Sequence, residues 1–222
     1  MLWIFTMIDG RIENMKNEFS RINIAFKIPI EVAQMMAKLS LEISQKEETF
    51  FVLDSFHYYP HMTIYSQEYP VSSIERVLEN MEKLSKNFSP LRFIATEIET
   101  ICGYIGMGAK YSPELRSIHE TIVKEINSLR KSHLREKYIT AIHEQIPEEK
   151  MKNIQEYGHP DVLNLYKPHI TITRLKDEGK TERIISDIQW EIEDFTIDTI
   201  GIFKTGEHGT CVGLIEEFKL KS

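Results

Sequence analysis

Two short stretches of the sequence share one pattern and constrain the fold more than any other feature. They read Pro60-His61-Met62-Thr63-Ile64-Tyr65 and Pro168-His169-Ile170-Thr171-Ile172-Thr173, and the two histidines are 108 positions apart. Polar and apolar residues alternate with a period of two, which predicts a β-strand with one buried face. The histidine and threonine of each copy are therefore expected on one face, and the apolar residues between them on the core face.

A single histidine–threonine pair on a strand is most often a half-exposed polar face. Two copies with the same preceding proline are much less expected by chance and indicate one shared site. One imidazole can take a proton from a nucleophile while the other gives a proton to the leaving oxygen, and the hydroxyls can bind non-bridging phosphate oxygens. The pattern predicts acid–base attack on a phosphodiester, with His61, Thr63, His169 and Thr171 as catalytic residues.

At these motifs the sequence resembles the 2H phosphoesterase superfamily, which includes 2'-5' RNA ligase-like proteins, cyclic nucleotide phosphodiesterases and 2',5'-oligoadenylate phosphodiesterases. The mark of that superfamily is a pair of His-apolar-Thr/Ser-apolar motifs, and both are present. Residues 167–174 are similar to the second motif of the RNA ligase-like branch, including Arg174 five positions after His169. The first motif departs from that branch, because Ser66-Gln67-Glu68-Tyr69-Pro70 replaces an apolar, glycine-containing continuation.

The resemblance implies a two-lobed, pseudo-symmetric α+β fold, with antiparallel sheets lining a central cleft and helices outside. It implies a hydrolase, a metal-independent phosphoesterase that acts on a 2',3'-cyclic, 2'-5' linked or cyclic-oligonucleotide phosphodiester. No cofactor and no metal are needed, because the histidines make the proton transfers. The implied partner is a small nucleotide, a cyclic oligonucleotide or an RNA end. The near-symmetry of the motifs leaves open which histidine is the base.

Two alternatives remain open at this point. The cleft of a non-catalytic binding module can hold a nucleotide or RNA end without turnover, and an RNA 2'-5' ligase uses the same reactive geometry in reverse. Two intact motifs favour the enzyme over the binding module. The acidic net charge disfavours the ligase, which has to hold two RNA ends.

Further residues beside the motifs are predicted to contact the substrate: Tyr65, Thr173, Arg174, Lys167 and Tyr166. Tyr65 and Thr173 continue the cleft-facing rows if the alternation holds. Arg174 and Lys167 can add positive potential, although strict alternation places Arg174 on the face opposite His169. Tyr166 can stack on a base, with core packing as the alternative.

Composition limits the other possibilities. A formal net charge of −7 and a pI of about 5.7 argue against sequence-independent binding to duplex DNA, where phosphate neutralisation dominates affinity. Cys102 and Cys211 have no motif spacing, which favours free thiols in a reducing, cytoplasmic setting. The apolar residues 1–8 are too short to span a bilayer, so no membrane association is predicted. No pair of histidines has convincing metal-ligand spacing.

The order of predicted elements indicates one two-lobed domain over residues 1–222. Strands are predicted at 21–29, 91–101, 103–110, 190–203 and 211–220, and helices at 31–43, 72–86, 112–131 and 180–188. The order strand, helix, motif strand, helix, two strands roughly repeats, which suggests an internal duplication that brings the motif strands side by side. Residues 1–20 are predicted to be an N-terminal extension, and 131–165 an insertion that is either a lid or inert.

Overall fold

The computed structural model describes residues 19–54, 56–141, 146–188 and 193–221. The strands are β1 (Phe19–Lys27), β2 (His61–Pro70), β3 (Leu91–Phe93), β4 (Ala95–Ile101), β5 (Tyr104–Ala109), β6 (His169–Arg174), β7 (Phe195–Ile197), β8 (Thr199–Thr205) and β9 (Cys211–Lys219). The α-helices are α1 (Ile30–Lys46), α2 (Ile74–Ser85), α3 (Pro113–Asn127), α4 (Glu136–Ala141), α5 (Glu148–Tyr157) and α6 (Thr181–Ser186). The predicted extension over 1–20 lies outside the described residues, apart from its last two, which begin β1.

The sheet places the two motif strands at its centre. Its seven strands are all antiparallel, in the order β4-β5-β6-β2-β1-β8-β9. The motif strands β2 and β6 are joined at one residue pair, Met62 with Ile170, so the sheet consists of two halves that meet at the motifs. This arrangement confirms the predicted α+β class with an antiparallel sheet.

The two halves of the chain follow the same order of elements. The succession β1-α1-β2-α2-β3-β4 is repeated as β5-α3-β6-α6-β7-β8, with α4 and α5 inserted before β6. Each half gives strands to the other, because β4 pairs with β5, β8 pairs with β1, and β3 pairs with β7 in a separate two-stranded sheet. The long strands predicted at 91–101 and 190–203 are therefore wrong as single strands, since each divides into one strand of the small sheet and one of the large sheet.

The core lies on one face of the sheet, which we call the helix face. Ile24, Phe26, Met62 and Ile170 are fully buried there, and α3 packs against β2 while α1 packs against β6. Helix α3 begins where the Ser112 hydroxyl accepts a hydrogen bond from the Leu115 amide, which is a common N-terminal cap. The helices cover this face, so the opposite face, which carries the motif histidines, is left for the site.

The segment predicted as an insertion contains α4 and α5 and is attached to the turn that follows α3. The Arg130 guanidinium is buried and donates hydrogen bonds to the backbone carbonyls of His133, Gln155 and Glu156. Burying a cation is costly unless it is hydrogen-bonded, and these carbonyls satisfy it.

In the described part of the chain, no helix combines the length and apolarity that crossing a membrane requires.

Candidate active site

The pairing of β2 with β6 brings the two motifs together. Because the strands are antiparallel and Met62 faces Ile170, His61 lies beside Thr171 and Thr63 lies beside His169 on the other face. We call that face the site face. Each histidine is thus next to the threonine of the other motif, and a group bound between the strands meets an imidazole from either side.

Both imidazoles are held in the same way by the backbone that precedes them. The Nδ1 of His61 lies 2.8 Å from the carbonyl oxygen of Tyr59, and the Nδ1 of His169 lies 2.9 Å from that of Lys167. A carbonyl only accepts hydrogen bonds, so Nδ1 must carry a proton in each ring. The Nε2 atom of each histidine is therefore the one that can take up or release a proton.

The two histidines differ in their exposure to solvent. His169 is exposed, whereas His61 is partly covered. Burial lowers the pKa of His61 to about 4, the hydrogen bond to Tyr59 offsets this shift in part, and the charge of His169 lowers the pKa further. At neutral pH His61 is therefore a neutral imidazole with an unprotonated Nε2, which suits a proton acceptor.

Asn23 on β1 orients the first threonine. Its side-chain nitrogen donates a 2.8 Å hydrogen bond to the Thr63 hydroxyl oxygen, which leaves the Thr63 proton free to be donated to a ligand. Asn23 is 1% exposed, so this amide is part of the structure beneath the site. Sequence reasoning missed it, although a buried position occupied by asparagine between Ile22 and Ile24 is a signal of a specific partner.

A β-bulge follows the threonine of each motif and interrupts the alternation. Ala25 of β1 pairs with Thr63 but Ile24 pairs with Tyr65, so Ile64 is the extra residue. Likewise Gly106 of β5 pairs with Thr171 and Ile105 with Thr173, so Ile172 is extra. A bulge of this type transfers the residues beyond it to the opposite faces. The bulges occupy equivalent positions, three residues after each histidine.

The bulges make the predicted positions of Tyr65 and Thr173 wrong. Both side chains lie on the helix face, where Tyr65 is 1% exposed and Thr173 is fully buried. The Tyr65 hydroxyl donates a 2.6 Å hydrogen bond to the carbonyl of Tyr157, and the Thr173 hydroxyl donates to the carbonyl of Phe51. These residues hold neighbouring segments against the sheet and do not continue the row of site residues.

The same displacement brings Arg174 to the site face, contrary to the expectation from strict alternation. It pairs with Tyr104, on the face that also carries His169 and Thr171. Its guanidinium lies 4.6 Å from the centre of the Tyr104 ring and 5.0 Å from that of Phe50, and it donates to the Nδ1 of His208 at 3.0 Å. His208 comes from the turn between β8 and β9, and no signal in the local sequence identifies it.

The remaining predicted contacts have different positions. The Lys167 side chain is exposed, while its carbonyl orients His169. Tyr166 is buried, and its hydroxyl donates a 2.6 Å hydrogen bond to the carbonyl of Thr63. The ring of Tyr166 stacks on His119 of α3 at 3.9 Å. The core-packing alternative is thus the one that the structure favours for Tyr166.

His119 of α3 supports the first motif from the helix face of the sheet. It is fully buried, its Nδ1 donates to the carbonyl of the bulge residue Ile64, and its Nε2 accepts from the amide of Leu163. Both ring nitrogens are engaged in a way that only the neutral imidazole permits. Together His119 and Tyr166 bind the carbonyls of Ile64 and Thr63, and so fix the backbone from which Thr63 projects.

The free energy of unfolding is expected to fall as the pH is lowered from about 6.5 to about 4. Burial lowers the pKa of His119 to about 4, and partial burial lowers that of His159 to the same value. Below pH 6.5 the unfolded chain binds protons that the folded chain does not, so the folded state loses stability, on the order of 3 kcal/mol for His119. Urea unfolding at a series of pH values measures this. A free energy that stays constant between pH 7 and pH 4.5 would contradict the neutral state of these rings.

Among the described residues, no group of three or more His, Cys, Asp or Glu side chains is arranged to hold a metal ion. The motif strands do offer two imidazoles on the site face, and Arg174, which donates to His208, lies on the same face. This set can transfer protons and bind an anion.

Known proteins resemble this chain in sequence family and in fold. The model of a family described as "Protein of unknown function (DUF1045)" matches residues 67–210. No curated protein matches the chain. Solved structures of the same fold include TT0787 of Thermus thermophilus (14% identity, TM-score 0.52, covering 91% of this chain and 98% of that one), a protein titled phosphoesterase (9%, 0.50, 92% and 100%) and E. coli LigT complexed with 3'-AMP (11%, 0.50, 92% and 100%).

These likenesses agree with the geometry of the motif strands. The family model covers well over half of the chain, and the structural matches extend over nearly all of it. The low identities limit what the structural matches show to the fold. The chain belongs to the DUF1045 family, and its fold is that of the 2H phosphoesterases, as the resemblance of its two motifs implied.

Proposed function

We propose that the protein is a metal-independent phosphoesterase that hydrolyses a 2',3'-cyclic, 2'-5' linked or cyclic-oligonucleotide phosphodiester. The observation that carries the proposal is that both motif histidines make the same hydrogen bond to the backbone. Each donates its Nδ1 proton to a backbone carbonyl two residues earlier, so that both Nε2 atoms are left for chemistry on the site face. A surface histidine without a function has no reason to repeat this arrangement on the adjacent strand.

In this proposal the two histidines have different roles. His61, neutral at pH 7, takes a proton from the attacking water. Water then attacks phosphorus, the bond to the leaving oxygen breaks, and His169 donates its proton to that oxygen. Because imidazoles carry out both proton transfers, the reaction needs no metal ion. Proton transfer by a positioned group of this kind contributes about 10²–10⁴-fold to a rate.

The hydroxyls and Arg174 supply the anion contacts. Thr63, whose oxygen already accepts from Asn23, donates its proton to a non-bridging phosphate oxygen, and Thr171 does the same from the other strand. Arg174 adds a positive charge at the edge of the site. Donors that are fixed before the reaction stabilise developing charge without having to reorganise. That LigT, a protein of the same fold, has been solved with 3'-AMP supports a ribonucleotide phosphate as the ligand class.

A panel of substrates in EDTA tests the proposal. It contains 2',3'-cyclic mononucleotides, a 2'-5' linked oligoadenylate, a cyclic dinucleotide and an RNA that ends in a 2',3'-cyclic phosphate. We expect turnover of at least one of them, and the preferred substrate identifies the reaction. Tight binding without turnover would favour the non-catalytic binding module over the enzyme. Joining of two RNA ends, without hydrolysis, would favour the ligase.

A further inference from the structure

The site face continues along β2 beyond the first motif. Past the bulge, Ser66 pairs with Asn23 and Glu68 pairs with Arg21, so these side chains share the face of Thr63. Each paired step of two residues along β1 advances by about 7 Å, so Ser66 lies roughly one step from Thr63 and Arg21 roughly two. The polar face is therefore longer than one phosphate needs.

Polar atoms on this extension are buried and unpaired. Within the described ranges, the side-chain oxygens of Asn23 and Ser66 and the Nε of Arg21 have no hydrogen-bond partner. Asn23 is 1% exposed and Ser66 is 9% exposed. Buried polar groups in folded proteins are almost always satisfied, and exceptions call for a ligand or another specific reason. Three such atoms on neighbouring, paired residues indicate a place for a polar group from outside the chain.

Helix α4 and the residue before it, Arg135, add positive charge at the same place. Arg135 lies 3.7 Å from the Glu68 carboxylate, and the Lys137 ammonium lies over the Tyr138 ring at 4.6 Å. Burial lowers the pKa of Lys137 to about 8, and the nearby charges of Arg135 and Arg21 lower it further. Burial and the charge of Arg135 also lower the pKa of Arg21. Three cations, of which Arg21 and Arg135 are partly buried and Lys137 is exposed, thus crowd one another.

The nearby carboxylates do not offset this charge fully. Glu68 accepts a hydrogen bond from His133 at 2.9 Å as well as contacting Arg135, and Asp161 is paired with Lys150 at 2.8 Å. In a chain with a net charge of −7, such a local excess of cations is unfavourable by itself and becomes favourable when an anion binds between them.

We propose that Arg21, Ser66, Arg135 and Lys137 form a second anion site, which binds a phosphate of the substrate other than the one that reacts. This inference rests on the proposed function of the motif site. It makes the substrate a ribonucleotide or short oligoribonucleotide with an additional phosphate, such as a 5'-phosphate. It also makes part of the 131–165 segment a substrate-binding element rather than an inert insertion.

The test compares adenosine 2',3'-cyclic phosphate with the same compound carrying a 5'-phosphate. For the wild type we expect KM to be about tenfold lower for the 5'-phosphorylated compound. In Arg21→Met and in Lys137→Met this preference should disappear. Arg92→Met, which removes an exposed arginine paired with Asp194, is the matched control and should retain the preference. Equal KM values for the two compounds in the wild type would overturn the second site and leave the phosphoesterase in place.

Binding measurements decide the inference if neither compound is hydrolysed. Calorimetry with adenosine 2'-phosphate and adenosine 2',5'-bisphosphate then replaces the kinetics. Tighter binding of the bisphosphate to the wild type, lost in Lys137→Met and kept in Arg92→Met, would support the second site although the enzyme proposal had failed. Equal affinities for the two nucleotides would overturn it.

Discussion

Replacing either motif histidine with alanine is expected to lower kcat by roughly 10²–10⁴-fold, because each substitution removes one of two proton transfers. His169 is exposed and His61 is only partly covered, so neither change should prevent folding, and circular dichroism checks this. His57→Ala is the control: this histidine is near the first motif in sequence, but its ring is exposed and hydrogen-bonded to Asp54. The double variant should lose little more than a single one, because the residues act as a unit.

The two variants should respond differently to the leaving group. A p-nitrophenyl phosphodiester releases an oxygen that needs no proton. The loss of kcat in His169→Ala should therefore be smaller on that substrate. The defect of His61→Ala should stay the same, because water still has to lose a proton. Equal recovery of both variants would contradict the assignment of His61 as base and His169 as acid.

His119→Ala is expected to destabilise the fold by about 2–4 kcal/mol and to reduce activity beyond what the loss of stability explains. The substitution empties a buried volume and leaves the Ile64 carbonyl and the Leu163 amide without partners. Since Ile64 is the bulge residue after Thr63, the threonine should lose its fixed position. Urea unfolding gives the free energy, and kcat is measured at a temperature where the variant is fully folded.

Tyr166→Phe is the milder variant that separates positioning from stability. It keeps the ring that stacks on His119 and removes only the hydrogen bond to the Thr63 carbonyl, which is worth about 1 kcal/mol. We expect a lower kcat with little change in KM. An unchanged kcat in both variants would show that His119 and Tyr166 contribute only to the stability of the core.

Much of the architecture around the motifs could be predicted from local pattern. The alternation on either side of His61 and His169 predicted strands, and the repeated order of elements predicted that these strands lie together, as the Met62–Ile170 pair confirms. The break between the strands predicted at 91–101 and 103–110 also coincides with a turn, at which Cys102 and Gly103 have positive φ angles. Periodicity is informative wherever an element obeys its ideal geometry.

The bulges show where that reasoning fails. A single extra residue at Ile64 and at Ile172 is defined by which residues of β1 and β5 pair with the motif strands, and nothing within the motifs reveals it. The consequence is large, because every residue beyond the bulge changes face. Tyr65 and Thr173 were therefore predicted on the wrong face, and Arg174 was expected away from the face that it occupies.

Contacts between residues that are distant in the sequence also could not be predicted. His119 meets Ile64 across 55 positions, and His208 meets Arg174 across 34. A histidine on the buried side of α3 and another in a turn have no sequence feature that identifies their partners. Only the three-dimensional pairing of the two halves brings these rings to the motifs.

The pH dependence of kcat/KM in EDTA, measured for the wild type and both alanine variants, shows whether the two histidines act as acid and base. We expect a bell-shaped profile for the wild type, with an acid limb near pH 4 because burial lowers the pKa of His61. The residual activity of His61→Ala should lack the acid limb, and that of His169→Ala should lack the alkaline limb. Activity that EDTA abolishes, or a profile that neither substitution alters, would contradict these roles.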